Sequence, residues 1–184
     1  MIANLVAGFM AGAASLTDYE SIQTVTVGGG GAANVEFTSI PAGYSHLQVR
    51  GIARGTTADT LVLVRFQLNS DTGNNYARHI ITGDGSTVGV AADASQSVGG
   101  VGNFAAANAS ASIFGTAVLD ILDYANTNKY KTVRSLSGND RNGAGTVGLF
   151  SSLWLSTSAI TSIKMFPAAG NFAQYSSFAL YGIK

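Results

Sequence analysis

Leu61-Val62-Leu63-Val64-Arg65-Phe66-Gln67-Leu68 alternates between two faces. Val62, Val64, Phe66 and Leu68 fall on one, and Leu61, Leu63, Arg65 and Gln67 on the other. A period of two places successive side chains on opposite sides of a pleated strand. Both faces begin apolar, which suits a strand in the middle of a sheet. The stretch that follows, Asn69-Ser70-Asp71-Thr72-Gly73-Asn74, is made of residues that close turns through side-chain-to-backbone hydrogen bonds.

The same rhythm extends in both directions. Toward the N-terminus, Ile22, Val25 and Val27 mark one strand, ended by Gly28-Gly29-Gly30-Gly31. Val35, Phe37 and Ile40 mark another, closed by Pro41-Ala42-Gly43. In Tyr44 to Arg54, Leu47, Val49 and Ile52 are expected on one side, with His46, Gln48 and Arg50 on the other. Toward the C-terminus, strands are expected over Tyr76 to Thr82, Ile113 to Tyr124, Lys129 to Ser137, Thr146 to Leu155, Ile160 to Pro167 and Ser176 to Ile183. Ser86 to Ser112 is rich in Gly, Ala and Ser without clear periodicity, and reads as a long loop, a contact surface or a mobile tip. About ten short strands with turn-rich links point to an all-β, two-sheet antiparallel sandwich, jelly-roll-like in its leading topology.

Before the β pattern, Met1 to Leu16 is uncharged and apolar. Ile2, Leu5, Val6, Phe9 and Met10 follow the spacing of one helical face, and Ala3, Ala7, Gly8 and Ala11 form a small-residue face opposite. The stretch lacks the basic start of a secretory signal, although Ala11-Gly12-Ala13 resembles a cleavage site. It is shorter than the roughly 20 residues that span a bilayer. Residues 1–18 are therefore read as an apolar N-terminal arm and 19–184 as a β-sandwich domain. Docking on another subunit, packing on its own domain, and cleavage or disorder all remain open for the arm.

The 184 residues are 46% hydrophobic and 11% charged, with 10 basic and 10 acidic side chains. So low a charge means weak repulsion between copies, which suits dense assembly. Without a Lys/Arg cluster, nucleic acid is not an expected partner, since phosphate binding needs concentrated positive charge. No membrane partner and no cofactor is expected either. Cysteine is absent, which excludes disulfides and thiolate metal sites.

Catalytic signals are sparse. His46 and His79 each sit in an alternating strand with no nucleophile motif beside them, and read as strand residues rather than general bases. Asp120 and Asp123, with Asp71 and Asp84 in turns, are the carboxylates that a glycosidase would need to pair across a cleft. Asn139-Asp140-Arg141-Asn142-Gly143 is oxygen-rich but lacks the ligand spacing of a calcium loop, so Asx-type turn bonding is the simpler account. No metal site is expected. Trp154 and Tyr175 are candidates for an aromatic glycan platform, against the alternative of core packing.

Several ordered segments resemble a recurring module of tailed-phage virions. They are Tyr19 to Val27, Ser39 to Gly51, Phe66 to Tyr76, Asp120 to Tyr124 with Lys129 to Thr132, and Ser177 to Ile183. The resemblance implies a non-enzymatic virion structural protein, such as a capsid decoration (cement) protein that binds major capsid subunits as a homotrimer at the capsid surface. It also admits a tail-fibre or tail-tip module binding a host glycan. It supplies no catalytic residues. If the arm attaches the domain to neighbouring subunits, replacing Ile2, Leu5, Phe9 and Met10 with polar residues should reduce particle binding while leaving the β circular-dichroism signal unchanged. Undiminished decoration by such a variant would refute an attachment role.

Overall fold

The computed structural model describes residues 18–184. The arm residues Ile2, Leu5, Val6, Phe9 and Met10 lie outside that range. The described chain has no helix and forms twelve strands. They are β1 (Tyr19–Thr26), β2 (Val35–Phe37), β3 (His46–Ala53), β4 (Leu61–Leu68), β5 (Tyr76–Gly83), β6 (Val88–Gln96), β7 (Gly99–Ala105), β8 (Gly115–Leu122), β9 (Lys131–Asp140), β10 (Gly145–Trp154), β11 (Ile163–Pro167) and β12 (Ser177–Ile183). The all-β antiparallel sandwich expected from the period of two is what the chain forms.

The large sheet has eight strands in the order β1-β12-β3-β8-β9-β10-β5-β6, and the small one has four, β2-β11-β4-β7. β1 to β4 alternate strictly between the sheets. The hairpins β5–β6 and β9–β10 stay in the large sheet and pair with each other through β10 and β5. Each sheet turns its alternate apolar residues inward, as for Leu47 and Val49 from β3, Val64 and Phe66 from β4, and Phe178 and Leu180 from β12, all buried. β4 lies between β11 and β7, a central position consistent with its two-sided apolar start.

Two expectations are corrected. Ser86 to Ser112 is not one long loop: it holds β6 and β7. β6 is mostly exposed on both faces and β7 mostly buried on both, so neither shows alternation of polarity. Second, Ile52 does not share the inward face of Leu47 and Val49. It points outward with His46, Gln48 and Arg50, while Gly51 and Ala53 point in.

β7 explains its own glycines. A Cβ on Gly99 would stand 2.1 Å from Cζ of Phe66, and one on Gly102 would stand 2.3 Å from the Ser137 side chain. The inner face of the large sheet meets this backbone with serines. Ser135 Oγ donates to the Val101 carbonyl at 2.6 Å, and the Gly100 N–H donates to Ser152 Oγ at 3.1 Å. Buried hydroxyls are tolerated when hydrogen-bonded, and their small size lets the sheets approach.

Gly99→Ala should lower stability by about 1–3 kcal/mol through overpacking, because Phe66 is itself fully enclosed. Thermal unfolding is the measurement. An unchanged midpoint would mean that Phe66 has room to move.

Candidate docking face

The outer face of the large sheet carries a run of directly opposed apolar residues. Val118 faces Leu136, Leu136 faces Leu149, Leu149 faces Ile81, and Ile81 faces Val90. All five are exposed, Leu136 at 58% and Val90 at 77%. Opposed side chains in a sheet stand about 5 Å apart, so they make one stripe across five strands, roughly 19 Å long. The next row, Thr116–Gly138–Val147–Gly83–Val88, adds Val147 and Val88 at its flank, also well exposed.

Beside the stripe, the same face carries a polar cluster that is internally satisfied. Gln48 Nε2 donates to Asp120 Oδ1 at 2.8 Å, and Arg134 Nη2 lies 3.3 Å from Asp120 Oδ2. Arg50 Nε donates to Gln48 Oε1 at 2.7 Å. The Arg50 guanidinium also lies over the rings of Tyr19 and Tyr181, 5.5 and 5.0 Å from their centroids. The face thus carries a hydrogen-bonded polar cluster drawn from β1, β12, β3, β8 and Arg134 of β9, and an apolar stripe that runs from Val118 of β8 across β9, β10 and β5 to β6.

The histidines sit on or beside this surface. His46 Nδ1 accepts the backbone N–H of Asp123 at 3.0 Å, and stands 3.6 Å from that residue's carboxylate. His79 faces Ser151 across β5 and β10, and no hydrogen bond joins their side chains among the described residues. Asp120 and Asp123 line one shallow groove together with Lys129, Tyr130 and Arg134. Lys129 hydrogen-bonds Asp123 and holds its carboxyl below the ordinary carboxylate value. A general acid needs a shift the other way.

Asp71 and Asp84 organise turns. The Asp84 carboxylate accepts the N–H groups of Ser86 and Thr87, which lower its pKa. In the 139–143 segment the side chains diverge: Asn139 is buried and Asp140 exposed. Asp140 Oδ1 accepts the Asn142 N–H, the Asx turn expected there. Asn142 and Gly143 both have positive φ, 59° and 99°, and the turn closes with Arg141 N–H to Ala144 O at 2.7 Å. This is the conformation for which Asn-Gly is favoured in tight hairpins. Among the described residues, no three His, Asp or Glu side chains gather as a metal cluster would require.

Trp154 is corrected as a glycan platform. It is buried, and its Nε1 donates to Asp71 Oδ2 at 2.7 Å, so its ring belongs to the core. Tyr175 is 71% exposed, in the link between β11 and β12. The apolar stripe went unseen in the sequence. Its signal is Leu136, Leu149, Ile81 and Val90 falling on the polar phase of their strands, but only the register lines them up. The chain matches no known protein family, no curated protein and no solved structure.

Burial acts to raise the pKa of Asp71, but hydrogen bonds from Trp154, Asn75 and the Gly73 N–H outweigh it and leave the carboxyl below its ordinary 3.8. A lowered folded-state pKa contributes stability that is fully present above the unfolded value and is lost as pH falls through the folded one. Denaturation followed by fluorescence of Trp154, the single tryptophan, should show stability falling below about pH 4. Asp71→Asn should be less stable at neutral pH, by about 1–3 kcal/mol, with a shallower acid slope. An acid slope equal to that of the parent would exclude Asp71 as a contributor.

Proposed function

We propose that this protein is a non-enzymatic virion structural protein, a capsid decoration (cement) protein that binds major capsid subunits at the capsid surface and stabilises the shell. The observation that carries this reading is the Val118–Leu136–Leu149–Ile81–Val90 stripe. Soluble monomers seldom leave a contiguous apolar patch bare, and such patches mark protein-binding surfaces. Covering one of these half-exposed side chains is worth on the order of 1 kcal/mol. A module bridging neighbouring subunits then stabilises the assembled shell by mass action.

The strand order supports the finer, jelly-roll description. Leaving out the hairpins β5–β6 and β9–β10, the sheets read β1-β12-β3-β8 and β2-β11-β4-β7. That is the arrangement of two interlocked Greek keys, with both hairpins added to one side of one sheet. The resemblance of Tyr19 to Val27 and the other segments to phage virion modules supplies the virion location in this proposal. The tail-tip alternative rests on Tyr175, whose ring is free to stack on a sugar.

The test is binding to phage heads that lack the protein. The parent should saturate at hundreds of copies per particle. Leu136→Lys and Leu149→Lys, each on the exposed face, should weaken binding about tenfold or more, since 1.4 kcal/mol is a factor of ten. Saturation at only three to a few tens of copies would favour an appendage. Parent-like binding by both variants would remove the stripe from the docking surface.

A further inference from the structure

We infer that β6 is a self-pairing edge, through which two copies of this chain join their large sheets across a two-fold axis at Val90. The inference shares the face used in the proposed function, but does not require a virion location.

The four sheet edges differ. β1 carries Glu20 and is broken by an irregularity between Ser21 and Gln23, β2 has three residues, and β7 is mostly buried against the large sheet. These are the usual ways in which edges are kept from pairing. β6 is nine residues long, without Lys, Arg or Pro, and its irregularity falls after Asp93, so that it pairs regularly with β5 from Val88 to Asp93. Its single charge, Asp93, lies off the apolar face and is bound to Arg78 Nε at 2.7 Å.

The backbone phase follows from the turn. Asp84 N–H donates to Thr87 O, which makes that pair hydrogen-bonded. Bonded and non-bonded pairs alternate along an antiparallel ladder. Gly89, Ala91 and Asp93 therefore bond toward β5, while Val88, Val90 and Ala92 direct their N–H and C=O groups to the open edge. Antiparallel pairing of this edge with its own copy is self-complementary. Val90 meets its counterpart, and Val88 meets Ala92 of the second copy. Val88 and Val90 are also among the most exposed apolar residues described. The axis at Val90 would join two apolar stripes end to end, as an isologous contact does.

A six-residue edge is about 20 Å long and buries less than the roughly 800 Å² per partner of a standard interface. The dimer should therefore be reversible, and the doubled stripe remains free for a further subunit. Neutral net charge leaves no long-range repulsion against it. This two-fold pairing differs from the homotrimer that the resemblance implies.

The chain has no cysteine, so single introduced thiols report the register. At Val90 the paired Cα atoms would stand about 5.5 Å apart, inside the 4.4–6.8 Å range of disulfides. At Val88 the equivalent atoms would be about 14 Å apart. Under mild oxidation, Val90→Cys should run at twice the monomer mass on a non-reducing gel, and Val88→Cys should stay single. Sedimentation of the parent should show a monomer–dimer equilibrium, abolished by Val90→Lys. Equal crosslinking at both positions, none at Val90 in a folded variant, or a parent that is monomeric or trimeric throughout overturns the inference. Leu149→Lys, two strands from the edge, should still dimerise, so loss of head binding by that variant tests docking separately from pairing.

Discussion

The structure depends on the contact between β7 and the inner face of the large sheet. Gly99, Gly100 and Gly102 strip that strand of side chains where it descends, and Ser135, Ser137 and Ser152 receive it. The Phe66 and Phe150 rings occupy the space that Cβ atoms on Gly99 and Gly100 would take. Hydroxyls of Ser135 and Ser152 bond the Val101 carbonyl and the Gly100 N–H, satisfying edge-strand groups that would otherwise be buried without partners. Small residues and short hydrogen bonds therefore do here what interlocked aliphatics do elsewhere in the core.

This contact also sets the limits of the covered surface. The small sheet has half as many strands as the large one, and β7 packs beneath β8, β9 and β10. β6 lies at the far edge, where its residues stay open to solvent on both faces. The hairpins β5–β6 and β9–β10 thus broaden a surface more than they thicken a core. Their outward residues, with Val118 of β8, form the stripe, and a polar cluster beside it closes on itself through Gln48, Asp120, Arg134 and Arg50. Most of the exposed apolar area of this face lies along the stripe and its Val88–Val147 flank.

Local pattern made much of the fold legible. Strands β3, β4, β8, β9, β10 and β12 bury alternate residues, and the period-two phase finds them directly. It failed over Ser86 to Ser112, because Gly and Ala carry little polarity contrast and because β6 and β7 each see one environment on both sides. Ile52 misled for a related reason: the inward slots beside it belong to Gly51 and Ala53, where the Phe178 ring fills the space above Gly51. Trp154 reads two ways in the sequence, because Asp71, which accepts its indole N–H, lies 83 positions away.

The sequence by itself determined an all-β domain with sparsely charged surfaces, tight turns and no thiol chemistry, because periodicity, turn residues and composition act over a few neighbouring positions. Only the tertiary structure decided which apolar residues stay outside. Val118, Leu136, Leu149, Ile81 and Val90 come from five different strands and become one stripe through strand register. Register depends on long-range pairing, and a shift of one residue would turn every one of these side chains to the other face.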